Sequence, residues 1–160
     1  YACVYKNTLV GPASLMVVLG AVPLAGGSVA VTVQPGAASA SRSTLSGASL
    51  QGAAAGSAAV LTVVPRDAFH NRTRVDVKDC VATLSGAASV PGTVAAGDND
   101  TVTVSFNPTV AGVYSANVSM CGYAVAGSPF ALTVAPGTRL FVPLHCSRIP
   151  FTFAPCLLVF

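Results

Sequence analysis

The stretch 111–137, AGVYSANVSMCGYAVAGSPFALTVAPG, decides the fold. Tyr114, Ala116, Val118 and Met120 alternate with Ser115, Asn117 and Ser119, and Phe130, Leu132 and Val134 alternate with Ala131 and Thr133. A period of two puts one set on a buried face and the other in water, so two β-strands with a short connection are expected. Pro108 and Gly112 punctuate the start, Gly122 and Gly127-Ser128-Pro129 the middle, and Pro136-Gly137 the end. A helix would need apolar positions three and four apart, with no Gly or Pro inside.

A related copy opens the chain. Gly11 and Gly112 lie 112 − 11 = 101 positions apart, and that offset holds without a gap to Gly36 and Gly137. Along it Thr8 matches Thr109, Ser14 matches Ser115, Val17 matches Val118, Gly26 matches Gly127 and Thr32 matches Thr133. Val33, Pro35 and Gly36 match Val134, Pro136 and Gly137. A period near one hundred residues is about the length of one immunoglobulin-like sandwich. The expected organisation is therefore the C-terminal part of a truncated repeat at 1–36, a linker at 37–42, one complete repeat at 43–137 and an irregular apolar tail at 138–160.

Composition agrees with an all-β chain. It is 52% hydrophobic and 8% charged, with no Glu, 15 Gly and 11 Pro, which suits a sandwich of small β-branched residues and frequent turns. The formal charge of +3 is spread over too few residues to line a nucleic-acid groove. No uninterrupted apolar run reaches the roughly 18 residues that cross a bilayer as a helix. The chain opens with Tyr and shows no signal-peptide pattern, so it reads as a fragment of something longer.

In order, residues 1–6 are expected to be the end of one strand, 13–19 a second strand and 28–34 a third. With no opposing sheet, this first piece should leave Met16, Val18, Leu19, Val29, Val31 and Val33 partly exposed. In the complete repeat a short edge strand near Thr44 and Leu45 precedes a soft Gly/Ala segment at 47–57. Strands follow at 58–64, with Ala59, Leu61 and Val63 inward, and at 80–84. Turns are expected at Ser85-Gly86, at Pro91-Gly92 and at 97–100. Strands near 93–95 and at 101–106, with Val102, Val104 and Phe106 inward, complete about seven strands, the number of an immunoglobulin-like antiparallel β-sandwich. Residues 65–79 hold most of the charge, and their mixed signs read as a solvated loop.

Three segments carry a family likeness. AGSAAVLTVVPRDAFHN at 55–71 holds an Asp-x-x-x-Asn step, Asp67 to Asn71; SFNPTVAGVY at 105–114 holds Pro108, Gly112 and Tyr114; AGSPFALTVAPG at 126–137 holds Gly127-Ser128-Pro129-Phe130. Together they resemble the filamin (actin-binding-protein-280) repeat over all of 43–137, with 1–36 as a partial copy. The resemblance implies a non-catalytic module that binds other proteins by presenting a sheet edge, to which a partner peptide adds as an extra strand. The equivalent edge here is Val81, Ala82, Thr83 and Leu84 with Thr93, Val94 and Ala95. Neighbouring repeats of the same chain are the other expected partners. No calponin-homology region lies in these residues, so direct actin binding is not expected.

Other residues define smaller expectations. Cys80 would start one strand and Cys121 follow the end of its antiparallel neighbour, so a disulfide between them is one expectation and two free thiols the other. Three sequons, at Asn71, Asn99 and Asn117, fall in loops or on an outward strand face and are candidate N-glycosylation sites. Tyr114 is placed to tie its own corner through its hydroxyl. Asp98-Asn99-Asp100 offers the hard oxygens of half a calcium site, yet without a further carboxylate nearby it reads as a plain turn.

His70 and His145 have no Ser or Cys partner in any nucleophile motif. The cysteines at 3, 80, 121, 146 and 156 contain no Cys-x-x-Cys pair for zinc. No catalytic residue, cofactor or metal is expected. Sequons, the possible disulfide and scarce charge favour an extracellular or cell-surface adhesion protein, with an intracellular filamin-like actin-crosslinking scaffold in the cytoplasm as the alternative and a passive spacer in a receptor or enzyme as a third reading.

Overall fold

A computed structural model of the chain describes residues 4–137. The expected tail at 138–160, with His145, and the first three residues of the expected strand at 1–6 lie outside the described residues. Residues 4–10 form no strand.

The chain first makes an antiparallel hairpin of β1 (Gly11–Leu19) and β2 (Val22–Val33). Both strands begin earlier than expected, β1 at 11 rather than 13 and β2 at 22 rather than 28, and β2 ends at 33 rather than 34. From residue 40 the chain builds two facing layers. One is ordered β3 (Thr44–Ser46), β5 (Ala59–Val64), β9 (Val102–Phe106) and β8 (Thr93–Ala96). The other runs β4 (Ala53–Ala54), β12 (Phe130–Ala135), β10 (Gly112–Met120), β6 (Cys80–Gly86) and β7 (Val90–Pro91), with β11 (Tyr123–Ala124) on the end of β10. This is the immunoglobulin-like antiparallel sandwich.

Alternation explains the packing. Ala59, Leu61, Val63, Val102, Val104 and Phe106 of one layer and Ala82, Leu84, Tyr114, Ala116, Val118, Met120, Leu132 and Val134 of the other are all buried. Each large side chain so enclosed contributes about 1.5–3 kcal/mol. The Tyr114 hydroxyl, buried with the ring, donates to the Val110 carbonyl at 2.8 Å, so the one polar atom of that side chain is satisfied.

The soft segment at 47–57 is a crossing between layers. β3 pairs antiparallel with β5, and a few residues later β4 pairs parallel with β12. Gly47 and Gly52, at φ 134° and 139°, make the two bends, in backbone that L side chains rarely adopt.

The two hairpins related by the 101-residue offset share one register. At the base, Gly11 faces Val33, Ala13 faces Val31 and Leu15 faces Val29; Gly112 faces Val134, Tyr114 faces Leu132 and Ala116 faces Phe130. At the tip, Leu19 faces Val22 and Met120 faces Tyr123. Both tips turn through two residues of positive φ, Gly20 and Ala21 in one and Cys121 and Gly122 in the other. That pattern marks the two-residue turn whose twist fits a right-handed hairpin. The surroundings differ. β10 and β12 are covered by the second layer, whereas Met16, Val18, Leu19, Val22 and Val29 are exposed, Leu19 at 74%.

Candidate interaction surface

The expected partner edge splits between the layers. Val81, Ala82, Thr83 and Leu84 lie on β6, and Thr93, Val94 and Ala95 lie on β8, an edge strand paired only with β9. Val81 and Thr83 are exposed, while Ala82 and Leu84 point into the core. Beside β6 the chain doubles back as β7, with Leu84 facing Val90 and Thr83 facing Pro91. Gly92 N donates to the Ala82 carbonyl at 2.8 Å. Peptide groups along a strand alternate in direction, so Ala82 and Leu84 present their main chain away from β10 and toward β7. The edge is thus already occupied by the protein's own chain, a feature the Pro91-Gly92 turn expected from sequence did not contain. Pro91 in turn presents no N–H along the outer side of β7, which blunts that rim against further pairing.

Gly92 carries the chain from one layer to the other. A Cβ there would lie 2.7 Å from Ala82 Cβ and 2.7 Å from Phe106 Cε1, so the corner closes only because the residue has none.

The charged loop is not simply solvated. Asp67 is 2% exposed. Its Oδ1 accepts from the main-chain N–H of Phe69 and of Asn71, both at 2.9 Å, and its Oδ2 accepts from Gly36 N at 3.0 Å and Asn71 Nδ2 at 2.9 Å. These donors, the Asn71 amide foremost, outweigh burial and hold the carboxyl at about 2, below its usual 3.8. Thr73, also buried, donates through Oγ1 to the Gly36 carbonyl at 2.9 Å. The linker at 37–42 is therefore tied down. Ser39 N donates to Arg66 O at 2.7 Å, and Arg66 N donates to the fully buried Ser43 hydroxyl at 3.0 Å.

The three sequons are unequal. Asn99 is exposed in a left-handed turn, at φ 52°. Asn117 is exposed on β10, and its Oδ1 accepts from the Ser128 hydroxyl at 3.2 Å, which engages the oxygen rather than the nitrogen a glycan uses. Asn71 donates from Nδ2 to Asp67 and, at 2.8 Å, to the Thr8 carbonyl. A glycan there would displace those donors.

A groove of about 730 Å³ runs between 74–77 and 96–102. Two of its three carboxylates are paired, Asp100 with Arg74 at 2.5 Å and Asp76 with Lys78 at 2.8 Å; the third is Asp98. Among the described residues no group of three His, Cys, Asp or Glu could hold a metal ion. Asp98-Asn99-Asp100 is a turn, closed by Thr101 donating to Asp98 O. His70 lies beside Arg42 and Arg66 rather than a nucleophile. Cys80 and Cys121 are free thiols at the same end of β6 and β10; Cys80 is buried, which pushes its thiol up, and Cys121 is exposed in the hairpin turn.

Comparison with known proteins supplies the family. The model of the Filamin/ABP280 repeat matches residues 37–131. By sequence, no curated protein matches the chain. Among solved structures, the Lin-41 filamin domain aligns with TM-score 0.56 and 24% identity over 62% of this chain and 98% of its own. InvD of Yersinia pseudotuberculosis aligns with TM-score 0.53 and 26% identity over 82% of this chain and 39% of its own. The Escherichia coli adhesin FdeC aligns with TM-score 0.54 and 22% identity over 79% of this chain and 42% of its own. This chain therefore spans less than half of either bacterial chain. Both alignments cover more of this chain than the sandwich occupies.

Proposed function

The chain belongs to the Filamin/ABP280 repeat family, a non-catalytic domain type, and from that premise we propose that it is a protein-interaction and adhesion module working within a tandem array. The observation that carries the array is the common register of the two hairpins, base and tip alike. The β1–β2 hairpin is the last hairpin of a preceding repeat. In the whole protein a strand equivalent to β6 pairs beside β1, and strands equivalent to β5 and β9 in the opposite layer cover the hairpin's apolar side.

Partner proteins bind by strand addition at β6. The peptide displaces Val90, Pro91 and Gly92 and takes over their ladder positions on Ala82 and Leu84, with the β8 edge at Thr93, Val94 and Ala95 as its second wall. Main-chain bonds give affinity, and the exposed Val81 and Thr83 contribute selectivity. The blocking strand is two residues long, so its removal costs few hydrogen bonds.

The test pans displayed extended peptides against the 160-residue chain, then measures the binders on Ala82→Pro. Proline at 82 removes an N–H on the β7 side and leaves the β10 ladder intact. Loss of binding with the sandwich still folded supports the reading; unchanged affinity refutes it.

The setting we propose is the cell surface, supported by the exposed sequon residues Asn99 and Asn117 and by the low charge. In an oxidising compartment Cys80 and Cys121, brought to one end of the sheet, would join as a disulfide. Non-reducing peptide mapping of the native protein that finds both thiols free removes that bond.

A further inference from the structure

The hairpin β1–β2 meets the sandwich at two separate points. Its outgoing foot, just after β2, is Gly36: the N–H donates to Asp67 Oδ2 at 3.0 Å and the carbonyl accepts from Thr73 Oγ1 at 2.9 Å. Its incoming foot, just before β1, is Thr8, whose carbonyl accepts from Asn71 Nδ2 at 2.8 Å. The same Nδ2 donates to Asp67 Oδ2 at 2.9 Å. Lys6 adds its ammonium 5.4 Å from the Phe69 ring centroid. One side-chain pair therefore holds both ends of the hairpin. A single covalent linker allows a repeat to swivel; a second attachment a few ångströms away removes that freedom.

We propose that the 65–73 loop is an inter-repeat joint, in which Asp67 and Asn71 grip both feet of the β1–β2 hairpin and fix the direction in which a preceding repeat leaves this one. Its functional meaning rests on the hairpin being part of that preceding repeat. The partner it fits is the C-terminal end of a like repeat: an extended segment offering a carbonyl at the position of Thr8, and a Gly at the position of Gly36 that lets the chain pass close to the Asp67 side chain. A Cβ at Gly36 would stand 3.6 Å from Asp67 Cβ and Oδ2, in ordinary contact, so closeness rather than strain selects the small residue. The sequon Asn71-Arg72-Thr73 is spent on this joint, because Asn71 nitrogen and Thr73 hydroxyl are both donors within it.

The experiment is ¹⁵N relaxation on the 160-residue chain and on Asn71→Ala. In the wild type, amides at 8–11 and at 34–39 should show order parameters near those of the sandwich, about 0.85. In Asn71→Ala the amides at 8–11 should fall below about 0.6, while those at 34–39, still held by Asp67 and Thr73, stay ordered. Loose feet in the wild type, or an incoming foot that stays ordered in a folded Asn71→Ala, overturns the joint. Should that variant unfold, exchange of the wild-type Asn71 side-chain amide decides: slow exchange of both hydrogens supports the joint and exchange at the free rate refutes it. The array reading fails separately, when a longer chain supplies no strands to pair with β1.

Discussion

Replacing Gly92 by Ala puts a methyl carbon into the corner where the chain leaves β7 for β8. The added carbon would sit 2.7 Å from Ala82 Cβ, 2.7 Å from Phe106 Cε1 and 3.0 Å from Ala82 O. Carbon atoms rest about 3.5–4.0 Å apart, so something must move by roughly 1 Å. Phe106 is enclosed at the centre of the core and Ala82 is buried on β6, whose neighbouring residues are held in the ladder with β10, so neither yields cheaply. Overpacking of this kind costs about 1–3 kcal/mol. For a sandwich of this size that is a fall in Tm of roughly 4–24 °C. The softest response is for the corner to lift, breaking the bond from residue 92 N to Ala82 O. Hydrogen exchange should then accelerate at the residue-92 amide before it does at Leu61 or Val104, and peptides that add at β6 should bind more tightly. A Tm within about 1 °C of the wild type, with the residue-92 amide still protected, would refute the packing argument.

Three further outcomes are expected. Leu61→Ala should cost about 2–5 kcal/mol in denaturant unfolding, whereas Val60→Ala, one residue along and outward, should stay within about 0.5 kcal/mol. Tyr114→Phe keeps the ring and loses only the bond to Val110 O, so it should cost about 0.5–1.5 kcal/mol. The Asp67 carboxyl titrates lower in the folded chain, at about 2 against an ordinary 3.8, so its contribution is fully present above about pH 4 and is lost as pH falls toward 2. Acid titration of stability should therefore decline over that window in the wild type and flatten in Asp67→Asn; equal slopes would contradict the carboxylate's role.

Strands that bury every second residue were legible, because alternation over five to nine residues is its own signature. Leu61, Val104 and Tyr114 point inward for that reason alone. The hairpin homology was legible from residue identities at one offset, and its register follows them. Two-residue strands were not legible. β4, β7 and β11 are too short to show a period, and β7, Val90–Pro91, runs into Pro91-Gly92, which reads as a turn. The covered edge of β6 was missed for that reason. The Asp67 and Asn71 spacing was visible, but not that the carboxylate is buried: four donors arrive from three residues, one of them 31 positions upstream. Charge count suggested a solvated loop, while the hydrogen-bond partners decided otherwise.

The central claim is that β1–β2 is the closing hairpin of a repeat. It is tested most directly by the structure of a chain extended by about one hundred residues ahead of Tyr1. The account predicts a strand bonded to the open side of β1, opposite Ser14, Met16 and Val18 in the register that β6 adopts against Ser115, Asn117 and Ser119, with Leu15, Val17 and Leu19 enclosed. A β1 whose outer edge stays unpaired in that longer chain, with Leu19 still in water, would contradict it.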